Sequence, residues 1–354
     1  MKMTHSAKLF FKAFLLMVAV AQTPSVAASA ADMSSEDTLA FVHDPVAAFE
    51  DGTYYLFSTG RNIQLLTSHD MRHWSVPSEA IQTVPRWTHD SVPGFDRHVW
   101  APDVIRWHGK WWMAYSCSTF GRNTSAIGLA RTSSLAARHW DDIGCLICSH
   151  GSDNFNAIDP NFVVDDDDNM WLVFGSFWDG IQLVRLKSVL TPYAEGPDGI
   201  GWLHGADERL AVDSTFSRIT IARRHELRRD GKHRGGANPI EAPFIFRHDG
   251  WYYLFVSWDY CCRGKESTYR VVVGRSRSIT GPYIDKNGVD MLAGGGTPVI
   301  SGDGKRYEAA GHCSVYNFNE TDWFFCHGYD LTQGGNSTLI KRRIKWTDGF
   351  PVLE

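Results

Sequence analysis

An excess of positive charge is missing from this chain. Its 354 residues carry 35 Lys and Arg against 40 Asp and Glu, a formal net charge of −5, which offers no basic field to a phosphate backbone and excludes DNA and RNA as expected partners. Charge of either sign is scarce, at 21%, so a disordered tail and a charged helical rod are excluded as well. After residue 30 no stretch approaches the roughly 18 continuous apolar residues of a membrane span. Nor is there a second cysteine pair to match Cys145-Leu-Ile-Cys148, so that motif reads as structural rather than as half of a zinc site.

What the chain does have is aromatic residues and turn formers: 14 Trp, 20 Phe and 12 Tyr beside 32 Gly and 14 Pro. That balance favours many short strands joined by tight turns. The first thirty residues differ in kind. Lys2, Lys8 and Lys12 flank the start of an apolar run from Phe10 to Ala21, and Ala28-Ser29-Ala30 follows as a small-residue cleavage site. These three parts predict a signal peptide over residues 1–30, a mature chain of net charge −8 after loss of three lysines, and a secreted or periplasmic protein. Seven cysteines then remain, an odd number, so at least one is expected to be unpaired. Cys261 and Cys262 are adjacent, which leaves both a vicinal disulfide and two thiols open.

A repeat organises the rest. Five segments share a polar opening that usually carries Pro, an apolar strand, an acidic or Gly turn, and an aromatic-rich strand ending in Ser or Gly. They open at Asp44-Pro45, Pro102-Asp103, Asp159-Pro160, Glu241-Ala242-Pro243 and His312-Cys313. Each unit holds a four-stranded antiparallel sheet with two apolar faces, and radial stacking of five such sheets covers every face. The predicted fold is therefore all-β: a single five-bladed β-propeller over residues 31–354. In this frame Asp165 to Asn169, which resembles a metal loop, falls at a hairpin turn. The basic run from Arg223 to Arg234 lacks interleaved aromatics and is expected to be a solvated loop.

Successive openings converge on the propeller axis, so Asp44, Asp159, Glu241 and His312 are expected to meet there. A lone carboxylate at a strand start is usually a cap or turn former. Three at repeat-equivalent openings suggest joint chemistry, because like charges buried together oppose stability. Glycosidic bond cleavage needs such a group: a protonated acid for the leaving oxygen and an ionised partner at the anomeric side. Trp100, Phe120 and Trp178 lie near the openings, where flat faces suit sugar rings.

The strings His43-Asp44-Pro45, Asn156-Ala157-Ile158-Asp159-Pro160-Asn161, Gly175-Ser176-Phe177-Trp178, Ile240-Glu241-Ala242-Pro243 and Asp259-Tyr260-Cys261-Cys262-Arg263-Gly264 closely resemble the endo-α-1,5-L-arabinanases of glycoside hydrolase family 43, across essentially the whole mature chain. The resemblance implies an inverting hydrolase of arabinan, with Asp44 as general base, Glu241 as general acid and Asp159 raising the pKa of that acid. It further implies sugar contacts from Trp100, Phe120, Asn156, Ser176 and Trp178, and a calcium ion on the axis held largely through waters beside His312. An arabinan or arabino-oligosaccharide substrate and a monomeric enzyme without nucleic-acid or membrane partners complete the expectation. The chain departs from the pattern at residues 195–236, a longer and more basic connector placed to close one end of the groove, and at Cys313. Internal and chain-end cleavage both stay open. So do two rivals: a β-xylosidase or α-L-arabinofuranosidase of the same propeller group, and a non-catalytic glycan-binding propeller.

Overall fold

The computed structural model describes residues 38–191, 207–225 and 238–354. Residues 1–30, the expected signal peptide, and most of the 195–236 connector lie outside the described residues, as does the basic run beyond residue 225. Strands dominate, and the single α-helix among the described residues is the short Trp87–Ser91. Five antiparallel sheets follow one another along the chain as the blades of a propeller. Their inner strands are Val46–Glu50, His98–Trp107, Asn161–Val164, Ile240–His248 and Tyr307–Phe318, and each pairs with the strand that follows it in the same blade.

The strands form because apolar residues sit on both faces, as in Trp111-Trp112-Met113-Ala114-Tyr115, all 6% exposed or less. Such a strand is stable only between two neighbours. The buried side chains accordingly form a large apolar cluster at each junction. Trp112 and Leu129 of blade two pack on Phe162 and Leu172 of blade three; Ala47 and Leu56 of blade one pack on Phe325 of blade five. The ring is closed by the chain start: Phe41 bridges Thr338 and the Leu339 amide donates to the Ala40 carbonyl at 2.9 Å.

Three sequence expectations meet the structure here. Asp165 is a turn residue as expected, its carboxylate accepting from the amides of Asp167 and Asn169. Cys145 and Cys148 are joined in a disulfide, while Cys117, Cys261, Cys262, Cys313 and Cys326 are free. The start of the basic run corrects the solvated-loop reading: Arg223 is bonded to Asp179 at 2.9 Å, and Arg224 lies over the Trp258 ring at 4.0 Å. Arg223 ties the edge of blade three to that blade's own loop, and Arg224 reaches across to blade four.

Candidate active site

The geometry of the site starts in the backbone. Asp44, Ala101, Asp159, Ala242 and His312, one per blade, all adopt left-handed conformations with φ between 41° and 58°. A non-glycine residue in that region is held at a cost of order 1–3 kcal/mol, so something must hold it. Here the twist aims each amide across to the preceding blade. The amide of Asp44 donates to His327 Nδ1 at 3.1 Å, Ala101 to Thr59 Oγ1 at 2.8 Å, Asp159 to Ser116 Oγ at 3.0 Å and His312 to Ser257 Oγ at 2.8 Å. Ala242 donates instead to Asp159 Oδ2 at 3.2 Å. This ring corrects the register read from the acidic residues: in blade two the position equivalent to Asp44 is Ala101, not Asp103. Asp103 sits further down the axis, where its carboxyl accepts from Phe162 N and Asn161 Nδ2. Burial pushes it up to about 7.

The ring brings together Asp44, Asp159, Glu241 and His312, each between 7% and 9% exposed. Asp44 Oδ1 lies 2.9 Å from His312 Nδ1, 3.6 Å from His43 Nε2 and 3.7 Å from His327 Nδ1. Its Oδ2 accepts a 2.5 Å hydrogen bond from Thr59 Oγ1. Glu241 Oε2 accepts from Ser176 Oγ at 2.7 Å.

These surroundings drive the carboxyls apart. Burial alone would raise the pKa of Asp44, but the charge of His312, followed by that of His43, outweighs it and holds Asp44 well below the usual carboxylate range. His312 responds in kind: burial opposes its charge, yet Asp44 lifts it to about 9. Glu241 moves the other way. Burial raises it against the Ser176 hydrogen bond, and negative charge at Cys262 adds to the rise. Asp159 is raised well above its ordinary value by burial first, with His312 opposing and the charges of Glu241 and Asp44 adding to it. One carboxyl that stays ionised beside two that favour the proton is the division that acid–base chemistry at a glycosidic centre requires.

The family model for glycosyl hydrolases family 43 matches residues 39–351. The chain belongs to glycosyl hydrolase family 43. It is 37% identical to the extracellular endo-α-(1→5)-L-arabinanase 1 of Bacillus subtilis strain 168, across 99% of this chain and 98% of that protein. To the extracellular exo-α-(1→5)-L-arabinofuranosidase ArbA of Cellvibrio japonicus it is 39% identical, across 88% and 86%. The solved structure of the Cellvibrio cellulosa α-L-arabinanase complexed with arabinohexaose superposes with a TM-score of 0.78 at 37% identity, covering 90% of this chain and 96% of that one.

In this family 43 chain the five side chains expected to touch sugar divide into two groups. Trp100 is half-buried, its Nε1 donating to His98 Nδ1, and Phe120 stands 76% exposed on the turn after the second strand of blade two. Trp178 is half-buried in the bend after Gly175, where Phe177 and Trp178 take φ of 57° and 38° and the Asn238 amide holds the Trp178 carbonyl. These three offer ring faces. Asn156 and Ser176 are 3% and 4% exposed and already bonded, Asn156 to Ser125 Oγ and Ser176 to Glu241. Ser176 thus orients the acid rather than offering an open face. Sequence reasoning missed Thr59, His43 and His327, which surround Asp44, and Phe177 with Tyr260, whose rings lie 5.9 Å apart. His43 was legible as the neighbour of Asp44; the others come together only through the ring.

Proposed function

We propose that this chain hydrolyses the α-1,5-L-arabinofuranosidic bonds of arabinan by a single displacement that inverts the anomeric centre. Asp44 is the base: His312, His43 and Thr59 keep it ionised and fixed, so that it takes a proton from the attacking water. Glu241 is the acid, kept protonated by burial, and gives its proton to the leaving oxygen while Ser176 fixes its carboxyl. Asp159 is bonded through Oδ2 to the amide next to Glu241; the two carboxyls repel when both are ionised, which favours a proton on the pair. The observation that carries this reading is the opposite displacement of Asp44 and Glu241 within one mouth built from separate blades. The names of the relatives support arabinan as substrate and an extracellular place of action. We extend both to this chain, as a secreted monomer whose leader is the N-terminal signal. No helix among the described residues is long and apolar enough to cross a membrane.

The calcium ion belongs to the same proposal. His312 Nδ1 is committed to Asp44, which leaves Nε2 as the donor this residue can give, one nitrogen against the six to eight oxygens calcium takes. An ion held there would need His312 without its Nε2 proton and would be completed by water oxygens; it would supply positive charge on the axis. The proton transfers run through Asp44 and Glu241 alone.

Incubation with debranched arabinan, xylan and aryl glycosides, followed by product sizing over time, tests the proposal. Arabinan is expected to be cut far faster than the others, and Glu241→Ala to fold yet not turn over. Preference for xylan, or near-wild-type turnover by that variant, contradicts it. Mixed early oligomers signify internal attack, and one small early product attack from a chain end.

A further inference from the structure

Beside Asp44 lies a set of donors, two of them sulfurs, to which the hydrolysis assigns no proton transfer. A ring nitrogen of His43 and the sulfurs of Cys261 and Cys262 all lie within 4.8 Å of one another, and Cys262 Sγ is 3.6 Å from His43 Nε2. The same His43 Nε2 is 3.6 Å from Asp44 Oδ1. Zinc bonds sulfur at about 2.3 Å and imidazole nitrogen at about 2.0–2.1 Å, so a tetrahedral centre sets such donors about 3.5 Å apart. The observed spacing is close to that. Neither sulfur is in a disulfide, and Cys262 is exposed.

The donors are also held in place. His43 stacks on His327 with ring centroids 4.0 Å apart. Cys262, at a left-handed φ of 64°, donates its amide to Tyr329 Oη at 2.6 Å. Cys261 packs against the cluster of Tyr269, Ala309 and Tyr329. Two thiolates and an imidazole form a soft set that suits zinc or cadmium and does not suit calcium.

We infer that His43, Cys261 and Cys262 form a binding site for a thiophilic divalent cation of the zinc class, with Asp44 Oδ1 or a water as fourth ligand, and that its occupancy blocks hydrolysis. On binding, any proton still on a thiol is released to solvent and no electron is transferred. The inhibitory half rests on Asp44 being the base; the binding half does not.

The test titrates the full-length mature enzyme, freed of metal by a chelator, with zinc chloride in a calorimeter. Cadmium chloride serves as the optical probe, since bound thiolates give it a charge-transfer band in the ultraviolet. The inference expects one zinc per chain, a cadmium–thiolate band, and loss of arabinan hydrolysis in step with occupancy, reversed by chelator. Cys262→Ser should bind zinc at least tenfold more weakly and lose the full band. Absence of the band in the unmodified enzyme, equal zinc affinity in Cys262→Ser, or a thiol count showing both cysteines already bridged overturns the site. Because the band is read on the unmodified enzyme, a variant that fails to fold does not decide the matter. A site filled with zinc while hydrolysis continues overturns the inhibitory half and leaves the binding half and the role of Asp44 standing.

Discussion

At four blade junctions, a side chain at the end of one blade's second strand receives the amide of the next blade's opening residue: His327, Thr59, Ser116 and Ser257. At the junction of blades three and four the equivalent residue is Gly175, and the amide of Ala242 goes to the carboxylate of Asp159. Gly175 cannot simply be exchanged for serine. Its φ is 127°, and an added Cβ would lie 2.6 Å from the Gly180 carbonyl oxygen. The same bend turns Ser176 toward Glu241 and carries Phe177 and Trp178 to the mouth. The difference teaches how a symmetric scaffold becomes a catalyst: where the repeat drops its own fastening, a carboxylate replaces it and lies next to the acid whose proton it influences.

The largest expected effects break the chemistry at this junction and at its counterpart on blade one. Glu241→Gln and Asp44→Asn should each lower kcat by roughly 10²–10⁴-fold with folding retained, measured on linear arabinan. Unchanged kcat in either would remove the assigned role.

Next come the fastenings. Asp159→Ala strands the Ala242 amide and should cost about 1–3 kcal/mol of stability in denaturant unfolding, besides its loss of activity. Asp159→Asn keeps an acceptor and should lose activity without that cost. Equal stability of the two variants would mean the carboxylate does not fasten the junction. Ser257→Ala leaves the His312 amide unbonded at a regular junction, so about 1–3 kcal/mol is again expected there. Its kcat should fall far less than that of Asp159→Asn.

The smallest effect sharpens the comparison through pH. The Ser176 hydroxyl donates to Glu241 and stabilises the carboxylate, opposing the rise that burial produces. Ser176→Ala should therefore raise the pKa of the acid and keep it protonated to higher pH. The alkaline limb of the pH–rate profile then moves upward, by less than about one unit. A downward move would show that Ser176 does not donate to the acid.

The repeat made the blades legible, because alternating aromatic strands and Asp/Gly turns report local structure. It also placed Asp44, Asp159, Glu241 and His312 at one mouth. The register of blade two was misread because what repeats is a backbone twist, occupied by Ala101 and Ala242 as well as by acids. Sequence showed the Ser that ends the second strand, as at Ser116 and Ser257, but not its partner on the next blade. The approach of Cys262 to His43, 219 positions apart, had no local signal at all.

The account stands on an ionised Asp44 and a protonated Glu241 acting in one displacement. Proton NMR of the first product released from an arabino-oligosaccharide, recorded before mutarotation, tests it most directly. The account predicts the anomeric configuration opposite to that of the substrate bond. A product that retains the substrate's configuration would require a covalent nucleophile and would contradict it.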